Sequence, residues 1–570
     1  MNMGKVQKTL TRRKVIQLGA TTLMAMGTNE FGKTALATIS DEATIRKTKA
    51  LRAVNIMNFI RGEEPRGPMD LMLPVAKQMA LIKKHGFPAT WLLQYDALVS
   101  GPFVEFLKKE MPSTHEVGFW FEMNHKLCDA AGVTWRGRAD WGWDYHVPVA
   151  YLIGYTPEER IRLADAAMTQ FKQIWGHFPR SIASWNLDAY TIAHLSDKYA
   201  VDAFAVCRDQ DSTDGFTIWG APIAGYYPSR TNAWSPALDP SNQIHSPIFR
   251  LLGQDPVYYY MLRYPLSDGS IAGAPDTMEP VWASGQTGSF VRSFFDMTAH
   301  APCLSFAYAQ LGQENSFGWP DTEKGYVLQM DELARLRDSN ELSVETMGET
   351  GRQFKRAFSV TPAQAQVQLT DPFGHTDPAE KSIWYQSRYY RANLHCRGKD
   401  VFIRDLTVYS DHLPQPFLHT PTREHGIEQR MPSVLDGLHW SDENVKAGGR
   451  FIMRDSRDIE QRVEAESFAA VQEHGSSLVV SIPTTGSSNV HLTFSEMSLS
   501  IKADSQAVSL DFQWVPSRSA LVSVASDRLA YRFEGFDYSV KVTRGIAKQT
   551  ADGVRIDGDH NRIELDFRQS

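Results

Sequence analysis

The sequence predicts a (β/α) barrel of seven or eight strands, TIM-like, followed by an all-β sandwich domain. Three observations carry that expectation. Short apolar runs alternate with amphipathic helical segments from Leu51 to about residue 330, the pattern of a parallel sheet with helices outside it. About eight such units follow one another, which favours a closed or nearly closed barrel over an open doubly wound sheet. From Val367 onward helical periodicity gives way to alternating strands separated by turn residues.

The elements follow in order. Leu51 to Phe59 reads as the first strand and Leu71 to His85 as a helix stopped by Gly86. Pro88 to Gln94 is the second strand and Val104 to Lys109 a short helix. The third strand starts at His115. Thr156-Pro157-Glu158-Glu159 is a capping box with Pro at the first helical position, and its helix runs to about Trp175 before Gly176. Arg180 to Trp185, Ala203 to Cys207, Gly220 to Tyr227, Ile244 to Leu252 and Cys303 to Ala309 supply further strands, with a helix over Ile192 to Tyr199. Glu332 to about Phe358 reads as helices that close the barrel. The expected domains are a signal peptide over 1–37, the barrel over 38–360 and the sandwich over 361–570. Tyr385, Tyr389 and Tyr390 would pack the sandwich against the barrel.

A chain of 570 residues exceeds what one core supports, and 42% hydrophobic with 22% charged residues is an ordinary globular balance. The net charge of −7, with no basic patch carrying interleaved aromatics, argues against nucleic acid as a partner. Thr11-Arg12-Arg13-Lys14-Val15-Ile16 resembles a twin-arginine export signal. An apolar run from Val15 to Met26 and Ala35-Leu36-Ala37 follow it. The expectation is therefore a periplasmic or secreted protein starting near Thr38, a client of the twin-arginine export machinery. The run is too short for a stable membrane anchor. Cys128, Cys207, Cys303 and Cys396 form no CxxC pair, which points to buried thiols and away from a structural zinc cluster.

The densest chemistry lies between His115 and His146. There an apolar strand opens into a loop carrying Trp120, Glu122, His125, Trp135, Arg136, Arg138, Asp140, Trp141, Trp143, Asp144 and His146. Flat apolar faces beside hydrogen-bonding groups suit a sugar ring. In a barrel the active site lies at the C-terminal ends of the strands. Those ends bring forward Asn58, Glu122, His125, Asn186, Asp188, Arg208, Asp209, Asp211, Arg250, Asp255, Gln310, Gln313 and Glu314, with Glu279 in a separate turn. No GxGxxG or GxxxxGK[ST] loop follows the first strand, which removes the usual nucleotide readings.

Thr114-His115-Glu116-Val117-Gly118 resembles the third-strand segment of NodB-type polysaccharide deacetylases and of related barrel glycoside hydrolases with a C-terminal sandwich. Phe178-Pro179-Arg180-Ser181-Ile182-Ala183 and Leu195 to Tyr199 are similar to the same superfamily. The resemblance implies a barrel over roughly Leu51 to Gln313 and action on carbohydrate. In the deacetylases it implies a metal held by an aspartate pair after strand one and a His pair after strand three. Here strand one ends Met57-Asn58-Phe59-Ile60, and strand three leads through Glu122 to His125. A metal set would have to come from Glu122, His125 and one of Asp144 or His146.

Glycoside hydrolysis needs two acidic groups and no cofactor. Glu122, Asp188, Asp209 and Glu314 are its candidates, with His125 as another acid or base. Trp120, Trp141, Trp143, Asp144, His146, Asn186, Arg208, Arg250, Glu279 and Gln313 are the expected substrate contacts. The leading expectation is an exported glycoside hydrolase acting on an oligosaccharide or polysaccharide. A metal-dependent polysaccharide deacetylase is the first alternative. A periplasmic glycan-binding protein without activity is the second.

Overall fold

Nearly every residue of Leu51–Ile60, the strand β1, is buried, because β1 lies inside a sheet covered on both faces. Its side chains alternate. Ala53, Met57 and Phe59 join the cluster inside the barrel, whereas Val54, Ile56 and Ile60 join the layer beneath the helices. The computed structural model describes residues 50–569 apart from 208–209, 214–215, 219, 222, 224, 252–263, 266–270, 273–276, 369–379, 468 and 487. The export signal expected over 1–37 lies outside the described residues, as do Arg208, Asp209 and Asp255.

Around β1 the sheet runs in the order Phe306–Leu311, β1, Thr90–Leu93 (β2), Glu116–Trp120 (β3), Ser181–Ala183 (β4), Ala203–Cys207 (β5), Ile248–Leu251 and Gly225–Tyr226. All these pairings are parallel except the last. Among the described residues no ladder joins the two ends, but rings bridge the gap, with Phe249 stacked 4.9 Å from Tyr308. The result is a nearly closed, mostly parallel barrel, the fold the sequence predicts.

The helices begin and end where their chemistry directs. Thr156 and Glu159 form the reciprocal capping box of Pro157–Trp175, and Gly176 ends that helix at φ 79°. Gly86 ends Met72–His85 in the same left-handed way. The region from Glu332 to Phe358 is not helical throughout. The helix Trp319–Asp338 gives way to a short strand, Ser343–Glu345, which pairs with β1 before the helix Met347–Ala357. All four cysteines are buried thiols.

From Gln364 the chain builds a ten-stranded and an eight-stranded antiparallel sheet around a shared core, while Ile427–Gln429 pairs in parallel with Phe216–Ile218. The tyrosines expected to face the barrel pack in the sandwich instead, Tyr389 against the edge of its core. Tyr385 and Tyr390 lie in the sandwich core, where Tyr390 stacks 4.0 Å from Phe567. It is Trp384, one residue away and on the opposite face, that joins the barrel's inner cluster. No helix among the described residues is long and apolar enough to cross a membrane.

Candidate functional site

The inward alternation of each barrel strand continues past its last ladder bond and decides what stands at the rim. On β1 the series Met57, Phe59 is followed by Arg61. On β3, Trp120 is followed by Glu122. On the Phe306–Leu311 strand, Gln310 is followed by Gly312 and Glu314. Gly312 sits at φ 122°, and a Cβ there would come within 1.9 Å of the Met57 carbonyl oxygen. Only glycine lets this strand end pass so close to β1. The two ends are then laced together. Asn58 accepts from the Gln313 N–H at 3.1 Å, and Asn315 accepts from the Arg61 N–H at 2.8 Å.

These ends meet at one buried guanidinium. Arg61 lies 2.9 Å from Glu122 and 3.3 Å from Glu314, and all three side chains are at most 6% exposed. The Trp120 indole N–H donates to Glu122 at 3.1 Å, and the Ser316 hydroxyl donates to Glu314. Burial works against the charge on Arg61, but the two carboxylates outweigh it and hold the guanidinium protonated. Two carboxylates against one buried cation leave a negative excess. Burial accordingly lifts Glu122 above the ordinary carboxylate range, with Arg61 opposing and Glu314 reinforcing the shift. The guanidinium lies 3.8 Å from the ring centre of Trp143, whose own N–H donates to the Glu63 carbonyl at 2.9 Å.

Beside this cluster lies a narrow cleft with a free volume of about 20 Å³ in this structure. One wall is aromatic. Phe59 and Trp120 stack at 3.9 Å with planes 5° apart, and Trp185 meets Trp120 edge-on at 5.1 Å. The facing wall carries Glu279, Gln310, Gln313 and Glu314. Glu279 accepts from the Trp282 indole at 2.9 Å and from the Gln313 amide at 3.3 Å.

The structure thus brings Glu122, Glu314, Glu279, Gln313 and Trp120 to one rim. It places the other candidates elsewhere. Asp188 caps the helix Ala189–Tyr199 and pairs with Arg160 at 3.1 Å, both side chains fully buried. Arg160 in turn donates to the carbonyls of Phe417 and Leu418, so this pair fixes the C-terminal part to the barrel. Arg250 has the outward alternation of its strand and lies over Trp234. Asn186 is buried beside Trp185. His125 stacks on Trp135 at 5.8 Å and faces Asp129.

Trp141 is covered by Arg138 at 3.3 Å. Asp144 is taken up by a two-pronged bond from Arg138 and by His146 at 2.7 Å. Its burial is overcome by those bonds, which hold it below the usual carboxylate range. Asp211 lies in the strand Gln210–Thr213.

Sequence reasoning passed over Phe59, Arg61, Trp185 and Asp96. The first two were legible in the alternation of β1 and Trp185 in that of β4. Asp96 follows β2 and accepts from the Glu63 and Ala97 N–H groups at 2.9 and 2.7 Å, holding the turn behind Arg61. Burial lifts its pKa to about 6.

The residues present do not fit the metal set that the resemblance implies. Where an aspartate pair would follow strand one stand Asn58 and Arg61. The Arg61 cation already pairs with both Glu122 and Glu314, and like charge opposes a dication beside it. Among the described residues no three His, Cys, Asp or Glu side chains converge as a ligand group.

No protein-family model matches the chain, and no curated protein sequence matches it. Solved structures with a similar shape include a candidate glycoside hydrolase/deacetylase from Parabacteroides distasonis. It is 14% identical with a TM-score of 0.46, over 63% of this chain and 86% of that one. A candidate polysaccharide deacetylase from Mycobacterium smegmatis is 10% identical with a TM-score of 0.35, over 57% and 96%. A family 4 acetyl xylan esterase from Clostridium thermocellum, in complex with a cobalt ion, is 11% identical with a TM-score of 0.25, over 54% and 94%. The likeness is distant and one of shape.

Proposed function

We propose that the chain is a carbohydrate-active hydrolase and that it cleaves a glycosidic bond in the cleft beside Arg61. The observation that carries this reading is the pair Glu122 and Glu314, held by one buried guanidinium next to an aromatic wall. Sugar rings stack on such walls, and glycoside hydrolysis needs two carboxyl groups in unlike protonation states. The raised pKa of Glu122 supports giving it the proton-donor role. It protonates the leaving oxygen as the C–O bond breaks. Glu314 serves the other face as nucleophile or base. Water adds its hydroxyl to the anomeric carbon, and its remaining proton returns to the carboxyl pair. The twin-arginine-type start supports an exported protein acting on polysaccharide outside the cytoplasm.

The test is product analysis on a panel of plain and acetylated polysaccharides. New reducing ends without acetate are expected. Acetate release without new reducing ends would assign ester or amide cleavage in place of glycoside hydrolysis. Binding without either product would leave a glycan-binding role.

A further inference from the structure

A groove with a free volume of about 730 Å³ opens where the two sheets of the sandwich are joined. That lies within the range of about 300–1,000 Å³ that ligand sites occupy. The ten-stranded sheet contributes the hairpin of Gly448–Arg454 and Glu460–Arg462, and Thr484 and Thr485 follow Ser477–Ile482 of the eight-stranded sheet. Ser505 and Gln506 link Ser498–Ala503 of the second sheet to Ala507–Gln513 of the first. Met453, Val463 and Thr484 are buried and form the floor. The Thr484 hydroxyl is spent there on the Ser488 carbonyl at 2.8 Å.

The groove is cationic where it meets solvent. Arg454, Arg457 and Arg462 line it against two carboxylates, Asp455 and Glu464. The carboxylates that hold two of these arginines stand outside the lining: Arg454 pairs with Glu460 at 2.6 Å, and Arg462 with Asp400. Arg457 is held by Asp455 through Nε and Nη2 at 3.1 and 2.9 Å. A guanidinium carries N–H donors on three nitrogens, so these pairs orient the arginines without exhausting them. Among the described residues Nη1 of Arg457 and both Nε and Nη1 of Arg462 have no acceptor. Ser456, Gln461, Thr485 and Ser505 also line the groove with side chains that bond to no other described residue.

We propose that this groove binds an acidic glycan, whose uronate or sulfate groups meet Arg457 and Arg462 while its hydroxyls meet the Ser, Thr and Gln side chains between them. Carboxylate and sulfate oxygens match the planar guanidinium fork. Among the described residues no aromatic ring lines the groove, so it lacks the stacking face that would grip a neutral sugar or a nucleobase. The sandwich thereby holds a charged polymer at a site of its own, separate from the barrel cleft. The choice of a glycan over another polyanion rests on the carbohydrate reading of the barrel.

Calorimetric titration of the full chain with tetrasaccharides of galacturonate, of sulfated chondroitin and of uncharged xylan tests this. At least one acidic sugar should bind at least tenfold more tightly than the xylan sugar, and which one binds tells uronate from sulfate. Salt at about 0.5 M should weaken that binding severalfold, as screening requires. Arg457→Gln with Arg462→Gln changes side chains that are 74% and 47% exposed, so Tm should hold. The affinity should fall at least tenfold, with turnover of any sugar the wild type cleaves unchanged. Arg532→Gln, an exposed arginine outside the groove, should lose nothing.

Equal binding by the double variant, or an equal loss in Arg532→Gln, overturns the groove and leaves the hydrolase reading standing. So does a wild type that cleaves a polysaccharide but binds neither acidic sugar. Hexaglutamate that displaces the glycan at equal concentration would overturn the choice of a glycan. Acidic-sugar binding that the double variant loses, in a protein that cleaves no polysaccharide, would keep the groove and remove the hydrolase reading.

Discussion

The guanidinium of Arg61 lies 3.8 Å from the ring centre of Trp143 while its two ends hold Glu122 and Glu314. A single side chain thereby ties the long loop after β3 to three strand ends. The cation is buried and is held there by the two carboxylates it faces.

Arg61→Met keeps the packing on Trp143 and leaves two buried carboxylates facing each other. Breaking a buried pair by removing one partner costs about 3–5 kcal/mol. With Arg61 gone, the folded-state pKa of Glu122, already raised by burial, rises further above its unfolded value. Stability is then recovered at low pH and lost as pH rises through the folded value. Urea unfolding should show a deficit that is large at pH 8 and smaller at pH 5, and Arg61→Met with Glu122→Gln should regain part of it. An equal deficit at both pH values would refute the charge argument.

Asp96 supplies a second pH signature. Burial lifts its pKa to about 6, above the unfolded carboxylate value. The folded state therefore binds more protons than the unfolded state between about pH 4 and 6. The stabilisation from this group is complete below that window and is lost as pH rises through it, by at most about 3 kcal/mol. Asp96→Asn should remove this slope from the stability-against-pH curve. A slope identical to wild type would place the titration elsewhere.

Asp188 is read as a structural residue. Asp188→Ala removes a helix cap and strands a buried Arg160, which should lower stability by about 3–5 kcal/mol. Turnover per folded molecule should change less than threefold. A loss of turnover beyond a hundredfold in folded protein would return Asp188 to the active site.

The barrel, the sandwich and their order were legible because alternation and periodicity are local properties of the chain. The capping box at Thr156 and the stops at Gly86 and Gly176 were legible for the same reason. Glu122 and Glu314 could be named because strand ends in barrels carry chemistry. Asp188 stands at an equally eligible strand end. Asp188 caps a helix and pairs with Arg160, 28 positions away, whereas Glu122 shares Arg61 with Glu314, and a sequence does not announce which carboxylate a distant arginine will claim. Arg61 was missed although it continues the inward alternation of Met57 and Phe59. The loop that drew attention through Trp141, Trp143 and Asp144 spends those groups on Arg138, Arg61 and His146. Aromatic density marked the neighbourhood, but strand parity marks the cleft.

The claim that Glu122 and Glu314 perform the chemistry is tested most directly by measuring kcat for Glu122→Gln and Glu314→Gln on a polysaccharide that the wild-type protein cleaves. Each variant keeps one carboxylate on Arg61, so each should fold with a Tm within a few degrees of wild type. Each should lose at least about a hundredfold in kcat, the usual scale for removing a general acid or base. Folded variants turning over at the wild-type rate would contradict the account.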